Sequence, residues 1–280
     1  MAKNQTSPLS ALNPDKYQRT IKEPVCLSGI GIHSGLPSTV RLIPAPIDQG
    51  IIFIVNGITI PAIAAEVVDT SRGTSLRGIS VVEHLLSAIY GLSISNLTIE
   101  VAGAEVPTMD GSALPFVKAI ANIGVVEQTT LAKTLKLASK IEVSDGNASI
   151  IAVPSDRFKI NFMINFEGIG RQEYGFDPAI QSFEKEIAPA RTFGYIEELE
   201  ALKRKGLGKG ASLENALVLT KDGYKNTPRF DNEPVRHKIL DLIGDLCLAG
   251  MPVKAEITAN KSGHKLNVEF AKKLMEVFGC

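Results

Sequence analysis

VVEHLLSAIYGL at residues 81–92 and VRHKILDLIGDLCLAG at residues 235–250 are the two stretches that decide the fold class of this sequence. In both stretches apolar residues recur every three to four positions, which predicts amphipathic helices with one face in a core. Each helix follows a series of short segments that are rich in β-branched residues and interrupted by Gly and Pro, a pattern typical of strands and turns. Strands followed by helices, twice along one chain, predict an α+β fold.

The same pattern predicts two domains, because the order of strands and helices begins again in the second half. The other elements are strands within residues 25–55, a strand at 94–101, a helix at 114–123, strands at 136–143, 149–153 and 158–166, and a helix at 195–205. We therefore predict a polar N-terminal tail at residues 1–15, a first α+β domain at residues 16–130 and a second at residues 131–280. No convincing residue-level repeat relates the two halves, so a duplication stays only a hypothesis.

The composition is that of an ordinary folded protein. Hydrophobic residues are 44% and charged residues 21% of the 280, which excludes disorder and collagen. Lys plus Arg and Asp plus Glu are both 30, so the net charge is zero and no nucleic-acid partner is expected.

The spacing of Cys26, Cys247 and Cys280 predicts neither a disulfide framework nor a thiolate zinc site. No segment resembles a signal peptide or a membrane span, so we expect a cytoplasmic protein with at most peripheral membrane contact.

Polar residues form a stripe along the second of the two helices. At about 100° per residue, His237, Asp241 and Asp245 lie one turn apart, on the face opposite to Val235 and Ile239. A His and an Asp one turn apart can hold one metal ion, although an isolated H-x-x-x-D pair is more often a solvated face with weak pairing. A metal site therefore requires a third ligand from elsewhere in the chain.

The first helix offers that third ligand. Glu83, His84 and Ser87 lie opposite its apolar face, and a cleft between two domains would bring them to the stripe on the second helix. Two His and one carboxylate are a common ligand set for a catalytic zinc, whereas Mg²⁺ prefers oxygen ligands. Glu83 is next to the proposed ligand His84. It is therefore either a base for water, as the Glu of H-E-x-x-H is, or a surface carboxylate.

Two further histidines lie outside these helices. His264, in NKSGHKLN, follows a Ser-Gly turn between a strand and a helix. There an imidazole can either reach a cleft as a general acid or simply begin the helix. His33, in GIGIHSG, follows an alternating strand, a position more typical of a structural or surface residue, and we place it outside the site.

Six motifs in order give the sequence a specific resemblance, which runs from about residue 17 to about residue 274. They are TVRLIPAP, VVEHLLSAIYGL, NLTIEV followed by EVPTMDGSALPFV, ARTFGYIEELEALKRKGLGKGASLENALV, RFDNEPVRHKILDLIGDL and KSGHKLN. Together they closely resemble the zinc-dependent UDP-3-O-acyl-N-acetylglucosamine deacetylases of lipid A biosynthesis. Position by position, the resemblance places the metal ligands of that family on His84, His237 and Asp241, its general base on Glu83 and its second catalytic histidine on His264.

Four more roles are implied by the same resemblance. Thr192 would face the oxyanion, and Asp245 would orient the catalytic histidine. Lys238 would contact the substrate, and Phe193 would lie near the approach of the acyl chain. The implied cofactor is one zinc ion per chain, with Fe²⁺ as the alternative in the cell.

The implied reaction is hydrolysis of the N-acetyl group of UDP-3-O-acyl-N-acetylglucosamine, the committed step of lipid A biosynthesis. Separately from the resemblance, we expect a monomer. The implied fold has two α+β domains with the sheets outside, the helices between them and the active site at the domain junction.

A zinc peptidase would share the chemistry, but the second His of H-E-x-x-H is absent after Glu83. A non-catalytic RNA- or protein-binding module would have no need for these His, Asp and Glu residues in one cleft. Bound zinc together with amide hydrolysis distinguishes these alternatives.

Overall fold

A computed structural model describes residues 17–279 of the chain, so the tail predicted at residues 1–15 lies outside the described residues. The helices are α1 (Glu83–Gly91), α2 (Leu114–Ile123), α3 (Phe183–Glu186), α4 (Ile196–Arg204), α5 (Glu233–Cys247) and α6 (His264–Phe278). The strands are β1 (Tyr17–Ile21), β2 (Val25–Ile30), β3 (Pro37–Pro44), β4 (Ile51–Val55), β5 (Ile58–Pro61), β6 (Val67–Asp69), β7 (Ser75–Leu76), β8 (Leu97–Ala102), β9 (Val125–Leu131), β10 (Leu135–Lys136), β11 (Ile141–Asp145), β12 (Ala148–Pro154), β13 (Lys159–Phe166), β14 (Gly170–Phe176), β15 (Phe193–Tyr195), β16 (Leu217–Thr220), β17 (Gly223–Tyr224) and β18 (Val253–Asn260).

The first large sheet belongs to the first half of the chain. Its strand order is β2-β3-β8-β4-β5, and each neighbouring pair is antiparallel except β8 and β4, which are parallel. Alternate residues of β3, among them Val40 and Leu42, are buried, because successive side chains of a strand point to opposite faces. The strands predicted within residues 25–55 and at 94–101 are confirmed.

The second large sheet repeats the topology of the first. Its order is β11-β12-β18-β13-β14, with β10 beside β18, and the parallel pair is again formed by the third and fourth strands, β18 and β13. The helices repeat as well, since α1 precedes and α2 follows β8, while α5 precedes and α6 follows β18. Both halves are thus ββββαβα units. Many different sequences satisfy one hydrophobic pattern, which is why the repeated topology has no visible counterpart at the residue level.

The helices form a layer between the two sheets. α1 packs along α5, α2 contacts β2 of the first sheet, and α5 and α6 contact β11 to β14 of the second. All nine residues of α1 are buried, as expected of a helix that is covered on every side. This arrangement confirms the predicted fold class. It also explains why the polar faces of α1 and α5 are not solvated: each faces the other half of the molecule.

Each unit carries an insertion in front of its first helix. In the first half, β6 and β7 pair between β5 and α1. In the second, the small sheet β15-β16-β17 and the helix α4 lie between β14 and α5. The two insertions bring loops to the N-terminal ends of α1 and α5, which is where polar side chains gather.

One predicted strand differs from the structure. Residues 136–143 do not form one strand, because β10 pairs with β18 whereas β11 pairs with β12, and the chain must bend between the two partners. The division at residues 130/131 falls at the end of β9, which pairs with β1, and stays a prediction.

Of the two cysteines in the described part of the chain, Cys26 is exposed, Cys247 is buried and both are free. Between residues 17 and 279, no helix has the length and apolar character needed to cross a bilayer.

Candidate active site

His84, His237 and Asp241 form a buried group where α1 meets α5. His84 is the second residue of α1, and the other two lie one turn apart on α5. From Oδ1 of Asp241 it is 3.2 Å to Nε2 of His237 and 3.7 Å to Nε2 of His84. One possible ligand atom from each residue lies within 4.8 Å of the other two. This spacing allows all three residues to bind one ion.

The donor atoms themselves also fit a metal ion. Oδ1 of Asp241 is buried and accepts no hydrogen bond from residues 17–279, a costly state for a carboxylate oxygen unless a cation binds it. Nδ1 of His237 lies 3.1 Å from the carbonyl oxygen of Ala190, an acceptor that leaves Nε2 available as a ligand. Burial lowers the pKa of His237 to about 3, which keeps the ring neutral, as metal binding requires.

Lys238 contacts the other oxygen of the same carboxylate. Its Nζ donates a hydrogen bond of 2.9 Å to Oδ2 of Asp241. Burial alone would raise the pKa of Asp241, but His237, Lys238 and His264 hold it well below its usual range. Burial alone would lower the pKa of Lys238, but Asp241 holds it above its usual value. Nζ also lies 5.7 Å from the ring centre of Phe193, so the two predicted substrate contacts are neighbours.

Glu83 begins α1 and is only 3% exposed. Its Oε2 accepts a hydrogen bond of 2.9 Å from the backbone N–H of Thr74, and its Oε1 lies 3.9 Å from Nε2 of His264. Burial raises the pKa of Glu83 above its usual range, although His264 and His84 act in the opposite direction. A raised pKa makes a carboxylate a stronger proton acceptor, which suits a general base.

His264 begins α6, as the predicted strand-to-helix turn requires. Its Nδ1 lies 2.9 Å from Oδ2 of Asp245, which also accepts a hydrogen bond of 2.9 Å from Nδ2 of Asn267. Its Nε2 lies 3.8 Å from Oδ2 of Asp241. Burial alone would lower the pKa of His264, but Asp245 and Asp241 raise it to about 9. The imidazole is therefore a cation at neutral pH.

Thr192 and Phe193 reach the site from the small sheet. The backbone N–H of Thr192 donates to the carbonyl of Gly111 at 2.8 Å, and its carbonyl accepts from the N–H of Leu217 at 2.8 Å. The ring of Phe193 meets that of His237 edge to face at 5.9 Å. These contacts fix the segment beside the metal-ligand group.

A buried ion pair connects this segment to the start of α5. Nε and Nη2 of Arg191 donate to the two carboxylate oxygens of Glu233 at 2.9 and 3.1 Å. Glu233 is fully buried and is the first residue of α5. Because Arg191 precedes Thr192, the pair sets the position of Thr192 relative to the ligands on α5.

A cavity of about 450 Å³ opens onto these residues. Its polar lining includes the group described above, together with Thr108 and Thr192. Its apolar lining includes side chains of α4, of the small sheet and of the loop between α4 and β16, namely Leu199, Leu202, Phe193, Val218 and Leu213. His33, which we expected outside the site, also lines this cavity, with Nε2 2.9 Å from the carbonyl oxygen of Arg72.

Two residues of the site were not predicted from the sequence. Thr74 donates through Oγ1 to Oδ1 of Asp245 at 2.5 Å, and Asn267 donates to the other oxygen of that carboxylate. Asn267 lies three residues after His264, so the rule that such residues share a helix face could have found it. Thr74 lies in a loop, where no periodicity applies.

Comparison with known proteins assigns the chain to a family. The family model described as "LpxC: UDP-3-O-acyl N-acetylglycosamine deacetylase" matches residues 18–276. The chain belongs to the LpxC family. It is 42% identical over 282 residues to the UDP-3-O-acyl-N-acetylglucosamine deacetylase of Myxococcus xanthus, covering 96% of this chain and 90% of that protein. An LpxC-family relative of the same name from Saccharophagus degradans is 44% identical over 274 residues, covering 93% and 89% of the two chains.

A third relative extends the match to nearly its whole length. The UDP-3-O-acyl-N-acetylglucosamine deacetylase of Trichormus variabilis is 39% identical over 274 residues, covering 92% of this chain and 98% of that protein. The LpxC match therefore includes both ββββαβα units and both insertions. The resemblance inferred from six motifs is confirmed.

Proposed function

We propose that this LpxC-family chain hydrolyses the N-acetyl group of UDP-3-O-acyl-N-acetylglucosamine, giving UDP-3-O-acyl-glucosamine and acetate. The observation that carries the proposal is the buried group of His84, His237 and Asp241, with Glu83 and His264 on its flanks and a carboxylate oxygen of Asp241 that accepts no hydrogen bond from the described residues. A binding module has no physical need for such a group, because five titratable side chains in one buried site are costly to maintain.

The proposed cofactor is one zinc ion, held by His84, His237 and Asp241. Two imidazole nitrogens and one carboxylate oxygen are a typical ligand set for catalytic zinc, and Fe²⁺ accepts a similar set. When bound, zinc supplies Lewis-acid chemistry, because it polarises a carbonyl oxygen and makes a nearby water more acidic.

The proposed role of Glu83 is that of a general base. Its carboxylate takes a proton from the water that attacks the amide carbon, so a C–O bond forms while the proton moves to Oε1 or Oε2. The N–H of Thr74 holds Oε2, which favours Oε1 as the acceptor. Oε1 also faces His264, the second proton-handling group.

His264 and Thr192 are proposed to stabilise the charges that develop. The hydroxyl of Thr192 donates to the oxygen that becomes negative when water adds to the amide carbon. His264, held as a cation by Asp245, stabilises the negative charge on that oxygen. It then protonates the amine nitrogen as the C–N bond breaks. Acetate and a free amine are the products, and the atoms balance with one water consumed.

The cavity is proposed to hold the rest of the substrate. Its apolar lining, with Leu199, Leu202 and Leu213, provides a surface for the acyl chain, and Phe193 lines the same cavity while its ring contacts that of His237. Lys238 offers a cation beside the reacting amide. Monomeric state and cytoplasmic location remain predictions.

The test is an assay of purified protein on UDP-3-O-acyl-N-acetylglucosamines with acyl chains of different length. We expect acetate release that stops when a chelator removes the metal and returns when zinc is added. The matched control is the same nucleotide sugar without its acyl chain, which should be a poorer substrate. A metal-loaded protein that releases no acetate from any of these substrates would contradict the proposal.

A further inference from the structure

Thr74 occupies an unusual place, because it contacts two carboxylates of the site, those of Glu83 and Asp245. It is fully buried in the loop between β6 and β7, within the insertion of the first unit. Its backbone N–H donates to Oε2 of Glu83 at 2.9 Å, and its hydroxyl donates to Oδ1 of Asp245 at 2.5 Å. The same hydroxyl oxygen lies 3.3 Å from Nδ1 of His264. One residue thus connects α1 of the first half with α5 and α6 of the second.

The loop reaches this place because Gly73 precedes Thr74. The backbone of Gly73 has a φ of +128°, a conformation that side chains disfavour. A Cβ atom there would lie 2.8 Å from Oε1 of Glu83, so any other residue would disturb that carboxylate. The backbone is therefore held close under Glu83, and Thr74 has little freedom to turn elsewhere.

The hydroxyl of Thr74 completes the hydrogen bonding of Asp245. This carboxylate is fully buried, and its Oδ2 already accepts from Asn267 and lies within hydrogen-bond distance of His264. Thr74 is the donor to Oδ1 among the described residues. With donors on both oxygens, the carboxylate plane is fixed and Oδ2 points at Nδ1 of His264. Without the hydroxyl, Oδ1 would be a buried acceptor without a partner, and the carboxylate could rotate to find one.

We propose that Thr74 is a positioning residue that fixes Asp245, and through it the imidazole of His264, relative to Glu83. Thr74 touches no reacting atom in this role. The inference rests on the proposed function, since the consequence of a misplaced His264 is slower protonation and charge stabilisation during amide hydrolysis. Partners that orient the groups of a metal site typically affect activity about ten- to a hundredfold when they are lost.

The experiment compares Thr74→Val, which keeps the shape and removes the hydroxyl, with Thr74→Ser, which keeps the hydroxyl. Both variants retain the backbone N–H that contacts Glu83. For Thr74→Val in the zinc-loaded enzyme we expect kcat to fall about ten- to a hundredfold with KM and zinc content close to wild type, and for Thr74→Ser we expect most of kcat to return. Thr20→Val is the matched control, because Thr20 is a buried threonine whose hydroxyl accepts from the N–H of Ala45, far from the site. It should lower stability and leave kcat unchanged.

A second readout needs no substrate. The Nδ1–H proton of His264 in its hydrogen bond to Asp245 gives an NMR signal that should shift or broaden in Thr74→Val and stay near its wild-type position in Thr74→Ser. If the wild-type enzyme releases no acetate, the proposed function fails, and this signal still decides the positioning role. An unchanged signal together with an unchanged kcat in Thr74→Val would overturn it, as would equal losses in the Val and Ser variants. If Thr74→Val does not fold, Thr74→Cys, whose S–H is a weaker donor, takes its place with the same expectations.

Discussion

Gly244 of α5 packs directly against the backbone of Glu83 at the start of α1. A Cβ atom at Gly244 would come within 2.1 Å of the carbonyl oxygen of Glu83, a contact that no real side chain makes. Gly244 lies between Asp241 and Asp245 in the sequence. The close approach of the two helices at this point therefore brings His84 on α1 near the two other metal ligands, which lie on α5. The metal-ligand group therefore depends on a glycine that binds nothing.

The first prediction concerns this helix contact. Gly244→Ala should force α1 and α5 apart, because the atom that it meets belongs to the backbone and cannot move aside. We expect a loss of about 1–3 kcal/mol in the free energy of unfolding, measured with denaturant, and weaker zinc binding. Gly263→Ala is the control, since a Cβ atom there meets nothing within 4 Å. Normal stability and zinc affinity in Gly244→Ala would mean that the helices can adjust without cost.

The second prediction concerns the metal ligands. His237→Ala or Asp241→Ala should abolish zinc binding and activity together, because three protein ligands leave no redundancy. Metal analysis of the purified variants checks this. His33→Ala is the matched control, since His33 lines the same cavity outside the metal-ligand group and its loss should leave zinc content unchanged. Full zinc occupancy in either ligand variant would remove that residue from the proposed set.

The third prediction concerns the base. Glu83→Gln preserves the shape of the side chain and its contact with the N–H of Thr74, but an amide cannot accept the proton of water. We expect normal zinc content and a loss of turnover of about 10² to 10⁴-fold. Near-normal turnover in a zinc-loaded Glu83→Gln enzyme would assign the proton transfer to another group.

The fourth prediction concerns pH. The mechanism needs Glu83 ionised and His264 protonated, so activity should rise with pH as Glu83 loses its proton and fall again as His264 does. Because the pKa of His264 is raised to about 9, its charged form persists through neutral pH and the alkaline fall should lie near that value. His264→Gln should lower the rate at the optimum without loss of zinc. If it changes neither the rate nor the alkaline limb, His264 takes no part and Glu83 is the candidate for both proton transfers.

The fifth prediction concerns the ion pair that holds Thr192. Glu233→Gln leaves the guanidinium of Arg191 buried without its counter-charge, and should cost about 3–5 kcal/mol in the free energy of unfolding. Glu100→Gln is the control, because the pair of Glu100 with Arg41 is about half exposed and contributes at most about 1 kcal/mol. Denaturant unfolding of both variants makes the comparison. Equal effects would show that burial does not distinguish the two pairs.

Local patterns predicted much of the fold. The helix predicted at 114–123 coincides with α2, the one at 81–92 contains all of α1 and the one at 235–249 contains most of α5, because helical periodicity depends on residues a few positions apart. The strand β18 was predicted only as the strand before the turn at His264, without bounds, although VKAEITAN alternates between apolar and polar residues. Its central place in the sheet follows only from its pairing with β12 and β13.

The sequence by itself determined the order of strands and helices and the presence of Glu83, His84, His237, Asp241 and His264 on two helices and one turn. Only the tertiary structure decided that these residues meet, that His33 lines the cavity and that Thr74 contacts Asp245 across 171 positions of the chain. The physical reason is the range of the interactions. Periodicity reflects neighbours along the chain, whereas the contact of Gly244 with Glu83 and the hydrogen bonds of Thr74 exist only after the whole core has packed and excluded water.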